Sequence, residues 1–231
     1  SVNGPRAAGI PGMLAALELI SQRYGQLPWQ QLVQPAVALA EEGFVPHARY
    51  QKYLAMRQAV FNAEARRIFA AAPLQAKQKI KQQDLAATLR RIASLGAVDF
   101  YQGETAKRMV AAVRAAGGIW QLDDLKQYKV LIRKPQLTKY KDLTLVLPVL
   151  PTSGGLVMSQ ILAMLEAETL PLKYDAESIH LLVEAMRRAY RDRAVYMGDP
   201  AFTQVPVEKL LSADYAKAKF ADFNPEQASL S

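Results

Sequence analysis

The apolar residues of this chain keep helical spacing almost throughout and change to alternation in one place, between Leu143 and Val149. There Leu143, Leu145 and Leu147 share one face while Thr144 and Val146 share the other, the pattern of a half-buried strand. Lys134 to Lys139 supplies a partner strand, with Tyr140, Lys141 and Asp142 as the connection. The expected fold class is therefore mainly α with one β-hairpin. The chain reads as a single α-rich segment over 1–231: helical over 1–118, hairpin over 130–150, and helical again over 154–220.

Caps and breakers place the helices. Pro11 suits a first helical position and Gly25 a residue just past the end, so Met13, Leu17, Ile20 and Tyr24 are expected on one buried face. Pro28 opens a turn through Trp29, Leu32 and Val33, and Pro35 is expected to restart the helix, giving Ala36 to Glu42 with Gly43 as its stop. A long helix is expected from Ala48 to Ala71 on the stripe Tyr50, Leu54, Phe61, Ile68 and Phe69, ended by Pro73. Lys77 to Gln83 reads as an exposed loop. The next helix carries Asp84 in its first turn, where a carboxylate complements the dipole, and buries Leu85, Leu89, Ile92 and Leu95 before Gly96. Another helix is expected over Asp99 to Ala116, with Ala106, Met109, Val110 and Val113 inward, and Asp123-Asp124 opens one short turn. Helices near Leu156 to Ala167 and Ala176 to Tyr196 follow, and Ser212 is placed to cap a short final helix.

Composition excludes several kinds of chemistry. The 231 residues are 51% hydrophobic and contain no cysteine, so disulfides, thiol nucleophiles, iron–sulfur clusters and cysteine-ligated zinc are ruled out. No apolar run approaches the roughly 20 residues that span a bilayer. The net charge of +8 is concentrated between residues 52 and 91, where Lys52, Arg57, Arg66, Arg67, Lys77, Lys79, Lys81, Arg90 and Arg91 face only Glu64 and Asp84. No nucleic-acid reader motif accompanies them, so a solvated face or an acidic partner segment is the better reading, and no nucleic-acid partner is expected. The chain opens at Ser1 without a leader, so any targeting signal is expected outside it.

Candidate chemistry is sparse. His180 shares a helix face with Glu177 and Glu184, a set able to hold a divalent ion but without the His-x-x-x-His spacing of zinc helices, so a hydrogen-bonded structural histidine is expected. His47 beside Pro46 reads as a helix entrance. Thr152-Ser153-Gly154-Gly155 offers a hydroxyl and a glycine-rich helix start, yet it is neither G-x-S-x-G nor a phosphate loop, and a tight turn suffices. Glu41-Glu42 and Asp123-Asp124 could serve acid–base chemistry but stand at helix ends. Arg187, Arg188, Arg191, Asp192 and Arg193 form a dense charged run in which Arg188 and Asp192, four apart, are expected to pair.

Several strings, taken in order, carry a resemblance. They are Gly9-Ile10-Pro11-Gly12, Tyr24-Gly25-Gln26-Leu27-Pro28-Trp29, Gln34 through Phe44, Asp84-Leu85-Ala86, Phe100-Tyr101-Gln102-Gly103 and Gly117-Gly118. Asp123-Asp124-Leu125 with Tyr128, Pro151 through Gly155, Glu184-Ala185, Ala189-Tyr190, Asp192-Arg193, Gly198-Asp199-Pro200, Leu210-Leu211-Ser212 and Tyr215-Ala216 follow. Together they resemble the C-terminal part of the large subunit of the γ-glutamyltranspeptidase family, over nearly the whole chain.

The resemblance implies a piece of an αββα N-terminal-nucleophile (Ntn) hydrolase. Its precursor would cleave itself to free a small subunit beginning with threonine. That hydroxyl, with its own amine as base, would attack a γ-glutamyl amide such as glutathione's, and water or an amino acid would then accept the γ-glutamyl group. Glycine amides of the small subunit would form the oxyanion hole, with no metal or organic cofactor. None of Thr88, Thr105, Thr138, Thr144, Thr152, Thr169 or Thr203 stands in the nucleophile's context. The nucleophile is therefore expected beyond Ser231 and the carboxylate-binding arginine upstream of Ser1, leaving no catalytic, substrate-binding or metal residue within the chain. The segment alone is expected to be inactive, to need the small subunit as partner, and to self-associate through uncovered apolar surface. For a bacterial member the resemblance implies a periplasmic or secreted location. Two alternatives stand beside this reading: a non-enzymatic helical module for acidic partners, or a related acylase or poly-γ-glutamate-processing enzyme.

Overall fold

Helices make up nearly every regular element of the computed structural model, which describes residues 4–70, 79–166 and 175–229. Two units emerge, Ser1–Leu131 and Ile132–Ser231.

In the first unit a 3-10 turn at Pro5–Ala7 precedes α1 (Met13–Tyr24), α2 (Trp29–Glu42), α3 (Ala48–Arg57), α4 (Ala63–Phe69), α5 (Gln83–Leu95), α6 (Ala97–Gln102), α7 (Glu104–Ala115) and α8 (Leu122–Lys126). Its core gathers Ala97, Tyr101, Ala106, Val110, Trp120 and Leu125, with Ile10, Leu14 and Ala15 packed against them. Two tryptophans fasten it by main-chain contacts: the Trp29 indole donates to the Ile92 carbonyl at 2.9 Å and the Trp120 indole to the Ala8 carbonyl at 3.0 Å.

Several expectations are corrected here. Pro35 lies inside α2 rather than restarting it. A proline there removes one intrahelical bond and crowds the preceding turn, but α2 packs along α5 and buries Val37 and Ala40, and that packing holds the helix continuous. The long helix from Ala48 breaks into α3, a 3-10 turn at Gln58–Val60, and α4, because the Asn62 side chain caps α4 by accepting the Ala65 N–H at 2.8 Å. Its expected end at Ala71, and Pro73 and Lys77 beyond, lie outside the described residues. Ile80, placed in an exposed loop by its sequence, is buried and pairs in a short bridge with Phe44. The helix expected over 99–116 divides at Gly103, where a Cβ would run into the Asp99 main chain, and the Asp99 carboxylate then accepts the Glu104 N–H at 3.1 Å. The stripe of α1 is the largest correction. Met13, Leu17, Ile20 and Tyr24 are exposed, as are Leu85 and Leu95 of α5. Instead Leu14 and Ala15 meet the core, and Glu18 accepts the Ala97 N–H at 2.7 Å.

In the second unit β1 (Gln136–Tyr140) and β2 (Leu143–Leu147) form an antiparallel pair, Tyr140 opposite Leu143 and Gln136 opposite Leu147. It is the only sheet among the described residues. The link is shorter than expected, Lys141-Asp142 alone, and Lys141 adopts a left-handed conformation (φ 51°) to close it. Gln136, Thr138, Leu145 and Leu147 are partly buried, whereas Leu137 and Val146 on the opposite face are exposed, as is Leu143 at the hairpin end. After a cis Leu150–Pro151 peptide come α9 (Gly154–Glu166), α10 (Ala176–Tyr196), α11 (Val207–Leu211) and α12 (Ala213–Phe220). The expected end of α9 at Ala167 lies outside the described residues, whereas Ser212 caps α12 as expected by accepting the Tyr215 N–H. Val157, Met164, Leu165, Leu181, Ala185, Ala189, Ala216 and Phe220 form this unit's core.

Candidate functional site

Four polar residues of α10 stand on one helical row, His180, Glu184, Arg188 and Asp192, each four positions after the last. Burying charge on such a row is costly unless each group is paired, yet Glu184 and Asp192 are each only 2% exposed. Their partners explain how this is sustained. Glu184 accepts from Arg188 at 2.5 Å, from Arg187 at 2.9 Å and from the Ser229 main-chain N–H at 3.2 Å. Burial alone would raise its pKa, but the Ser229 and Arg188 hydrogen bonds outweigh it and bring it down to about 2. Asp192 takes Lys219 at 2.7 Å and the Gln160 amide at 2.9 Å. Tyr215 also hydrogen-bonds Asp192, and burial together with this carboxylate pushes its phenol pKa up.

The expected Arg188–Asp192 pair does not form. Arg188 instead reaches back to Glu184 and across to Asp222 at 2.7 Å. Helical side chains lean toward the N-terminus, and an acid four residues before a base is the favoured order. His180 is hydrogen-bonded, through Nε2 to the Asn224 carbonyl at 3.0 Å, with its ring against Phe223. With Glu184 committed to arginines, the Glu177, His180 and Glu184 set is not free to chelate. Among the described residues no cluster of three or more such side chains could hold a metal ion.

At the other end of α10 lies the turn 152–155. Arg193 Nε donates to Ser153 Oγ at 2.9 Å, and both line an open cleft of about 380 Å³ with Pro151, Ala194, Met197, Gly198 and Asp199. The Ser153 hydroxyl thus meets a cation, and among the described residues no base that could activate it is hydrogen-bonded to it. Ser153 also starts α9, its carbonyl accepting the Val157 N–H at 3.0 Å, and a Cβ on Gly155 would strike the Pro148 carbonyl oxygen. This favours the tight-turn reading of the motif.

The other candidates stand apart. His47 caps α3 through Nδ1, Asp124 closes a capping box at α8 by accepting the Gln121 N–H at 2.8 Å, and Glu41 pairs with Arg90. Within the basic stretch Arg67 is paired with Glu64 and Asp84, and Arg91 with Asp99. Sequence reasoning missed Lys219, Tyr215, Asp222 and Ser229 as partners of α10, since all lie far along the chain. The four-residue spacing from His180 to Asp192 was the one available signal.

A mostly helical chain with one hairpin among the described residues agrees with what comparison with known proteins gives. A family model described as Gamma-glutamyltranspeptidase matches residues 1–231, and the chain belongs to that family. It is 36% identical to a glutathione hydrolase proenzyme of Pseudomonas aeruginosa, over 99% of this chain and 42% of that protein. It is 32% identical to the acylase ACY 1 proenzyme of Pseudomonas sp. (strain V22), again over 99% of this chain and 42% of the relative. The crystal structure of Helicobacter pylori gamma-glutamyltranspeptidase superposes with a TM-score of 0.92 at 37% identity, covering 98% of this chain and 67% of that one. The chain thus spans less than half the length of the curated relatives it matches.

Proposed function

We propose that this chain is the C-terminal part of the large subunit of an enzyme that transfers or hydrolyses γ-glutamyl groups of glutathione-like amides. The observation that carries this reading is the family match over every residue from 1 to 231. In this reading the hairpin and α9 belong to one side of an αββα Ntn sandwich, and strands from the rest of the protein cover the exposed Leu137 and Val146 face. The nucleophile is a threonine at the start of a small subunit, which is this segment's partner. Its hydroxyl attacks the γ-glutamyl carbonyl, the amide nitrogen leaves with a proton, and water or an amine then releases the acyl group. No residue of 1–231 is assigned to that chemistry, and no metal or organic cofactor is needed for it. Among the described residues no helix is long and apolar enough to cross a membrane, and a periplasmic or secreted location fits the bacterial relatives.

The test is γ-glutamyl-p-nitroanilide turnover. The processed pair should release p-nitroaniline and the 231-residue chain alone should not; robust turnover by the pure chain would overturn the reading. The acylase relative supports a second reading on the same scaffold, cleavage of an amide by an acylase. Parallel assay of the pair on such an amide separates the two. The alternative of a binding module for acidic partners is weakened by the internal pairing of Arg67, Arg90 and Arg91.

A further inference from the structure

Beyond α12 the chain turns back along α10, held there by main-chain and side-chain contacts together. Arg188 Nε fixes the last turn of α12 by donating to the Lys219 carbonyl at 2.9 Å; beyond it the Asn224 carbonyl meets His180 and the Ser229 N–H donates to Glu184. Asp222 adds a side-chain contact to Arg188, and Phe223 stacks on Phe220 with ring centroids 4.9 Å apart. Within the segment, the Asn224 side chain accepts the Glu226 N–H at 2.9 Å and so fixes a turn.

Directional polar contacts at both ends of the segment, Asp222 on Arg188 and Ser229 on Glu184, dictate a path, whereas apolar packing alone would tolerate sliding. A buried ion pair is commonly replaceable by apolar residues without loss of stability. Its presence at Glu184 and Arg188, where the core beside it is Leu181, Ala185 and Ala189, therefore points to a need for a fixed chain direction. We propose that Glu184 and Arg188 are positioning residues that clasp segment 221–229 and so present the chain beyond it for self-cleavage. This rests on the reading given under Proposed function.

The clasp touches no reacting atom. In the cleavage a threonine hydroxyl oxygen bonds to the preceding carbonyl carbon, the C–N bond breaks, and the nitrogen takes the hydroxyl proton. Water then hydrolyses the ester, so no other reagent is required. Such an intramolecular attack depends on holding the atoms about 3–3.5 Å apart, and a segment free to wander from α10 would reach that geometry less often.

The test uses the uncut precursor in which this chain continues into the small-subunit segment, followed by gel separation of precursor and products. Glu184→Ala and Arg188→Ala should slow cleavage about tenfold or more, Arg188→Lys should recover part of the rate, and Asp222→Ala should slow it about threefold. Hydrogen exchange on the 231-residue chain should show faster exchange over 221–229 in each variant, with α9 unchanged. If Glu184→Ala fails to fold, Asp222→Ala and Ser229→Pro, which loosen one end of the segment each and leave the buried Glu184–Arg188 pair intact, carry the test. Unchanged cleavage in variants whose segment has been released overturns the positioning role. A wild-type precursor that never cleaves overturns the parent reading instead.

Discussion

Glu184 shows how one residue ties stability to pH. Its carboxyl sits near 4.5 when unconstrained and is held at about 2 in the folded chain. A group depressed in this way stabilises the fold fully above its unfolded pKa, and the contribution fades as pH falls from about 4.5 toward 2. Thermal unfolding followed from pH 6 to pH 2.5 should therefore show a falling Tm, and Glu184→Gln should flatten that fall while lowering Tm at pH 6. An equally steep decline in the variant would assign the acid sensitivity to other carboxylates. Asp99 is built on the same principle in the first unit, its pKa lowered by Thr105, Arg91 and the Glu104 N–H against the opposing effect of burial. Sequence singled out Glu184 only as a metal-ligand candidate and Asp99 only as a helix start; that each is buried and held by Ser229 or Arg91 depends on the fold.

Elements were legible where a cap or a period spoke for itself, and illegible where packing decided. The hairpin, α9, α10 and the Ser212 cap follow from alternation, helical spacing and one hydroxyl. Pro35 misleads because tertiary packing against α5 outweighs one lost hydrogen bond, and Asn62 and Gly103 mark breaks that the apolar period runs straight through. The turn into α9 gives a direct check on the role of small residues. A Cβ on Gly155 would collide with the Pro148 carbonyl oxygen, while one on Gly154 would meet nothing within contact range. Gly155→Ala should cost roughly 1–3 kcal/mol by overpacking, and Gly154→Ala should be neutral or slightly stabilising. Urea midpoints measure both, and equal effects would contradict the close approach.

At the scale of the whole molecule, the apolar residues that sequence places in a core and the structure leaves exposed share one meaning. Met13, Leu17, Ile20, Tyr24, Leu85 and Leu95 in the first unit, and Leu143 in the second, are such positions without cover, and the hairpin adds Leu137 and Val146, exposed on its other face. Sequence periodicity identifies an apolar face but not whether its partner lies in the same segment, and this chain spans 42% of its curated relative. The isolated chain should self-associate with rising concentration in sedimentation velocity, and Val146→Lys should reduce the effect; a strictly monomeric chain that binds no apolar dye would argue that these faces need no partner. The most direct measurement is a denaturing mass spectrum, with N-terminal sequencing, of the protein purified undegraded from its natural source. A second polypeptide in equal amount beginning with threonine is the predicted result. Finding this segment only as an uncut or solitary chain would contradict its assignment to a self-processed γ-glutamyl enzyme.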